Sequence, residues 1–256
     1  TYVAWNWKAN GGTTTTNDAS ATSVGHIDSV YQVNTDAGFS IVTWTGNGSN
    51  TNNTIAHGLG VTPAMHITKS RSTNSGGHWM VWHHTFPDTR DNLFLNLTNG
   101  TNAQGFGGST PTNNSTVFET SQGTYTNVNG DNYVSYVFAE IEGYSKFGTY
   151  TGTGNTDGTV IYLGFSPAWI LMKSLVHSES WHIWDNKRVV GDGNPNQAVL
   201  SPNTLGQDTA GSSPYDTDFL SNGFKIRGGH DLNNGSGDKH IYMAFAENPF
   251  KYANAK

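Results

Sequence analysis

Asp131-Asn132-Tyr133-Val134-Ser135-Tyr136-Val137-Phe138-Ala139-Glu140 returns as Asp238-Lys239-His240-Ile241-Tyr242-Met243-Ala244-Phe245-Ala246-Glu247, 107 residues further along the chain. Side chains in the first stretch alternate with a period of two, Tyr133/Ser135/Val137 against Val134/Tyr136/Phe138, which is the pattern of a β-strand. Both copies begin at an acidic residue after a glycine-containing turn and end on Phe-Ala-Glu. Upstream, Gly60-Val61-Thr62-Pro63-Ala64 with Lys69-Ser70 falls on Gly164-Phe165-Ser166-Pro167-Ala168 with Lys173-Ser174, an offset of 104. Trp79 and Trp82 fall on Trp181 and Trp184, an offset of 102. Gly38-Phe39-Ser40 with Thr43-Trp44-Thr45-Gly46-Asn47-Gly48 resembles Gly143-Tyr144-Ser145 with Thr149-Tyr150-Thr151-Gly152-Thr153-Gly154. Offsets that drift by a few residues are what loop insertions and deletions leave. The chain therefore carries two homologous units, each of about 105 residues, an ordinary domain size.

Tyr2-Val3-Ala4-Trp5-Asn6-Trp7 matches Tyr133 to Phe138, so residues 1–8 read as the last strand of a preceding unit. Residues 9–37, with Gly11-Gly12 and four threonines, read as a linker or arm with room for one short strand. Residues 38–142 and 143–256 are the two repeats. A lone strand leaves its backbone groups unpaired, so Tyr2–Trp7 is expected to join a sheet of this chain or of a neighbour. The whole is expected to be cut from something longer. No capped helix of period 3.6 is visible, and turn clusters such as Gly46-Asn47-Gly48 and Asn129-Gly130-Asp131 separate short apolar runs. The predicted fold is all-β: two tandem antiparallel β-sandwich units, jelly-roll-like, preceded by a stray strand and an arm.

Only 12% of the 256 residues are charged, against about 25% in an average domain. A net charge of −6 with 13 Lys+Arg argues against nucleic acid, and no apolar run approaches the ~20 residues that span a bilayer. The absence of cysteine removes disulfides, thiol nucleophiles and sulfur-ligated zinc.

Candidate chemistry is sparse. Glu140 and Glu247, and Asp131 and Asp238, recur at equivalent places, but duplication puts the members of each pair in separate units and not across one scissile bond. Among ten histidines, His78, His83 and His84 crowd one predicted strand, where adjacent His83 and His84 point to opposite faces. No metal site is expected. The run Asp231-Leu232-Asn233-Asn234-Gly235-Ser236-Gly237-Asp238 could offer oxygens to Ca²⁺ but lacks the spacing of a calcium loop, so no cofactor is assigned. Tryptophan is the better lead. Trp79 with Val81, and Trp181 with Ile183, read as core, whereas Trp82 and Trp184 share faces with polar neighbours. Trp82 and Trp184 are therefore the candidates for stacking on a sugar ring.

Taken together, Tyr2 to Lys8, His57 to Pro63, Phe138 to Gly148, Gly164 to Trp169, Leu220 to Lys225 and Ala244 to Lys251 resemble a tandem β-repeat domain of virion proteins from marine phages, especially cyanophages. In that family such repeats commonly follow a concanavalin-A-like lectin domain in large tail-fibre or appendage proteins. The resemblance implies a non-enzymatic structural or adhesive module at the virion surface, partnered by copies of itself or by other virion proteins, with no nucleic acid and no membrane insertion. It carries over no catalytic residue. A carbohydrate-binding module for host surface glycan is the alternative, and a glycan depolymerase the third reading.

Overall fold

The computed structural model describes residues 3–72, 77–88, 90–102, 112–120, 125–188, 193–205 and 213–248. The chain is nearly all β, with 40% of the described residues in strands and 5% helical, and every strand ladder among them is antiparallel. It divides into two compact units that part after Glu140. The N-terminal unit holds Asn6–Leu95 and Thr101–Glu140; the C-terminal unit takes the chain from Ile141 onward, together with Asn96–Gly100 and the first five residues.

Among the described residues the N-terminal unit has nine strands: β1 (Thr15–Asn17), β2 (Ser29–Asn34), β3 (Phe39–Thr45), β4 (Thr54–Ala56), β5 (Met65–Ser70), β6 (Trp79–His83), β7 (Leu93–Phe94), β8 (Val117–Glu119) and β9 (Asn132–Phe138). Seven form one sheet in the order β1-β2-β3-β9-β5-β6-β7, and β4 pairs with β8. The inward residues Val42, Trp44, Tyr133 and Val137 of the large sheet meet Ile55 and Phe118 of the small one, closing a sandwich core. The C-terminal unit has β10 (Ser145–Thr151), β11 (Val160–Tyr162), β12 (Pro167–Ser174), β13 (His182–Asp185), β14 (Thr217–Leu220), β15 (Gly223–Ile226) and β16 (Lys239–Ala246). Their orders are β10-β16-β12-β13 and β11-β15-β14. Tyr150, Ile170, Met172, Trp184, Tyr242 and Ala244 of the first sheet pack on Ile161, Phe224 and Ile226 of the second.

The order β3-β9-β5-β6 is repeated as β10-β16-β12-β13, and the register repeats with it. Ser70 lies opposite Tyr133 as Ser174 lies opposite His240. Trp82 faces His66 as Trp184 faces Ile170, and Trp44 faces Tyr133 as Tyr150 faces His240. The last two pairs are stacked, with ring centroids 5.4 Å and 5.0 Å apart. Only the openings shift. Phe39 and Ser145 stand opposite Phe138 and Phe245, so β10 matches β3 one residue later than the Gly-Phe-Ser and Gly-Tyr-Ser alignment implies.

A second shared device closes each sandwich at the end of this pair. After β3 and β10 the chain runs through Gly46-Asn47-Gly48 and Gly152-Thr153-Gly154, each laid against a fully buried asparagine, Asn127 or Asn234. The Asn127 amide oxygen accepts from the Asn47 N–H (3.1 Å) and its Nδ2 donates to Ser49 O (2.8 Å). In the other unit Asn234 accepts from the Thr153 N–H (2.8 Å) and donates to Asn155 O and Gly228 O (both 2.7 Å). The glycines are required by this closeness. A Cβ on Gly46 would stand 2.2 Å from Val128 O, and one on Gly152 2.3 Å from Gly235 O.

Two expectations are corrected. Residues 3–8 form no ladder with a sheet of this chain; the rings anchor them instead, Trp5 edge-on to Trp169 and Trp7 edge-on to Phe138, while Lys8 O accepts from Asn34 Nδ2. The segment 9–37 is no loose arm. It supplies β1 and β2 to the large sheet and a one-turn helix, α1 (Ala19–Thr22), capped by the Asp18 carboxylate on the Ala21 N–H. A second one-turn helix, α2 (Asp231–Asn234), follows β15.

Replacing Asn234 by Ala would strip partners from the Thr153 N–H and from the Asn155 and Gly228 carbonyls around a fully buried amide. Buried hydrogen bonds left half-made cost about 1–3 kcal/mol each, so Asn234→Ala is expected to destabilise the C-terminal unit by about 3 kcal/mol. Denaturant titration followed by tryptophan fluorescence would measure it, and Asn127→Ala is expected to act likewise on the N-terminal unit.

Candidate functional site

The two tryptophans proposed for sugar stacking are core residues. Trp82 is 4% exposed and Trp184 not at all. Trp82 stacks on His66 across the strand pair, with centroids 5.4 Å apart and planes 15° apart. The Trp184 indole N–H donates to Tyr215 O at 3.1 Å. Alternation fixes which residues share a face, but it cannot say which face is covered when both are. On the opposite face of the same sheet Met65, Val81 and Phe138 are buried as well. The neighbours that make Trp184 look amphipathic are themselves inward: His182 is buried and lies 5.9 Å from the Tyr215 ring. Trp79, expected in the core, is the half-buried member, stacked on Tyr136.

The chain belongs to the DUF7483 family, a domain of unknown function. The family match spans residues 1–249. No curated protein and no solved structure matches the chain.

A buried carboxylate of this DUF7483 chain that the sequence does not mark, Asp185 at the end of β13, has local partners. Asp185 binds Arg188 (2.5 Å) and accepts the N–H groups of Lys187 and Arg188, and the Arg188 guanidinium lies 5.7 Å over Trp5. The suspected calcium run folds into α2 and the turn before β16, with His230 capping the helix on the Leu232 N–H. This fold brings Asp231 and Asp238 together with His177, whose Nε2 is 2.7 Å from Asp238 Oδ2. Their ligand atoms lie within 4.8 Å of one another, so these three side chains could hold a cation. The sequence pattern misses His177, which comes from the loop after β12. That loop is pinned by the buried Lys173, whose Nζ donates to Ser174 O (2.7 Å) and His177 O (3.2 Å). Burial pushes the Lys173 ammonium down to about 8. His83 ends β6, so His84 is already in a turn, and the two rings sit 5.1 Å apart instead of on opposite faces.

One surface groove, of about 250 Å³, lies on the N-terminal unit. Thr16, Val30, Thr43, Thr45 and Asn132 line it along β1, β2, β3 and β9, with Asp28 and Arg71 among its walls. The register aligns Thr16, Val30 and Thr43 on one face, and Thr45 Oγ1 donates to Asn132 Oδ1 at 3.0 Å. No motif marks these residues, because they come from four strands and a loop.

Five histidines are buried among the described residues, and burial holds four of them below the ordinary value: His57 at about 4, His66 and His182 at about 3, and His240 in the same direction. The His57 ring takes the Leu59 N–H on Nδ1, which leaves Nε2 to donate to Asn114 O, a neutral tautomer. Above pH 6.5 folded and unfolded chains carry the same charge on these rings. As pH falls, the unfolded chain binds protons that the folded one refuses, so stability is lost from about pH 6.5 down to the folded values near 3 to 4. One bound proton of difference corresponds to about 1.4 kcal/mol per pH unit. Unfolding free energy measured across pH 6 to 4.5 is expected to fall with a slope of at least two protons.

Proposed function

We propose that this chain is a non-enzymatic structural and adhesive module of a phage particle, carried in a tail fibre or a capsid appendage at the virion surface. One observation carries the reading: what the two units hold in common serves packing. The repeated tryptophans lie in the cores, the repeated aromatic pairs stack across strands, and the Gly-x-Gly turns rest on buried asparagines. Duplicated scaffold of this kind suits a part that must hold its shape on a particle, and the sequence resemblance to virion repeat domains points the same way.

A glycan-binding role is the second reading, moved from the tryptophans to the groove. Threonine hydroxyls, the Asn132 amide, the Asp28 carboxylate and the Arg71 guanidinium are the groups that hydrogen-bond sugar hydroxyls with little net charge.

Antibody raised against the chain is expected to decorate an appendage of intact particles under the electron microscope. Particles that contain the chain by mass spectrometry yet take no label on any exposed part would overturn the surface placement. On a glycan array, any wild-type signal is expected to drop at least tenfold in Arg71→Ala; a signal indifferent to Arg71→Ala and Thr43→Val would remove the groove from the account.

A further inference from the structure

β11 is an outer strand of the sheet β11-β15-β14, and among the described residues no strand pairs with its far side. In the ladder with β15 the Leu163 N–H donates to Asn222 O, and Thr159 O accepts from the Ile226 N–H. Residues 159, 161 and 163 thus spend their main-chain groups on β15, and alternation turns the N–H and C=O of Val160 and Tyr162 outward. Neither residue has another main-chain bond among the described residues. Ile161 points into the core, so the side chains of Val160 and Tyr162 point away from it, and they are 57% and 65% exposed.

The N-terminal unit shows how this fold treats the same edge when it is covered. β4 corresponds to β11, with Ile55 in the place of Ile161. On its outer side Thr54 O accepts from the N–H groups of His26 (2.8 Å) and Ile27 (3.2 Å), and Ile27 bridges Ile55 in parallel. Thr54 Oγ1 and His26 Nδ1 share a further hydrogen bond at 2.7 Å, and both Thr54 and Ala56 are buried. The covering segment comes from the residues ahead of β2. In the C-terminal unit β10 begins four residues after Ile141, which leaves no counterpart of that segment. The outward positions also differ in kind: Thr and Ala on the covered strand, Val and Tyr on the open one.

We infer that β11 is a docking edge for β11 of a second copy of this chain, the two strands pairing antiparallel about a two-fold axis through Ile161. In that register Val160 of each copy lies opposite Tyr162 of the other. Both members of each pair present their N–H and C=O outward, so the two pairs exchange four main-chain hydrogen bonds. Each pair sets an aromatic ring beside a β-branched side chain, a favourable cross-strand combination. The two-fold lets one patch serve both partners, and two three-stranded sheets become one of six. Charge does not oppose the approach, since Lys225, opposite Val160 on β15, is held by Asp157 at 2.5 Å. The His26–Ile27 segment of a second copy is not the occupant, because it is already seated on that copy's own β4.

Sedimentation equilibrium of the full chain is expected to show a reversible dimer, with the Val160 and Tyr162 amides protected from hydrogen exchange in the dimer and exchanging freely on dilution. Tyr162→Lys is expected to raise the dimer dissociation constant at least tenfold with the circular dichroism spectrum unchanged and, at concentrations where both chains are monomeric, the thermal midpoint unchanged. Val160→Pro, which removes an outward N–H and no ladder bond, is expected to act in the same direction. A chain that stays monomeric to millimolar concentration would overturn the inference. So would a dimer that survives Tyr162→Lys while both amides exchange freely, or a peptide of residues 23–29 that protects both amides in a monomer.

Discussion

The side-chain amides of Asn127 and Asn234 stand in for a piece of ladder where β3 and β10 leave the large sheets. A strand that ends there must turn toward the smaller sheet, and main-chain groups beyond the ladder, the N–H of Asn47 and of Thr153, take a side-chain partner instead. One amide can donate and accept at once, so a single side chain satisfies both kinds of group, and the glycines on either side let the backbone come close enough for it to reach. The sandwich cores depend on that closure. Trp44 and Tyr150, at the ends of the same strands, stack on Tyr133 and His240 only because the turn beyond them is fixed.

The scarcity of charge fits this economy. Interior polarity here is mostly uncharged: Thr68 and Ser135 share a buried hydroxyl contact at 2.9 Å, Asn196 donates to Asp185 O, and the histidines are held neutral. Neutral groups cost less to bury than ions, so a chain with little ionic surface can carry many polar side chains inside two small cores. Two of the buried ionisable groups are tied down. Lys173 spends its ammonium on two carbonyls, and Asp185 is met by Arg188.

Much of this architecture is legible in the sequence, for a definite reason. Ser70, Trp82 and Tyr133 can be placed against Ser174, Trp184 and His240 because strands keep their length while loops change, so matched anchors survive duplication as matched register. The facing of the tryptophans is not legible, because a sheet apolar on both sides gives alternation without a polar face to orient it. The stretch 13–34 hides two strands and a helix behind a threonine run with no periodicity, and α1 is a single turn held by one cap. His177 joins Asp231 and Asp238 across a gap of more than fifty residues, and the groove collects residues from four strands; neither assembly leaves a local trace.

The placement of β1 at the rim of the seven-stranded sheet has a mechanical side. Tension entering at residue 3 meets the rings of Trp5 and Trp7 and then a ladder of three residue pairs before it reaches β3 and β9. A short antiparallel ladder loaded from its end opens one bond after another, while the seven-pair ladder behind it shares its load across the strand. The residues through Asn17 are therefore a fuse: they peel from β2 under a modest pull, while Ile27, in the core and bridged to Ile55, stays with the sandwich beneath them.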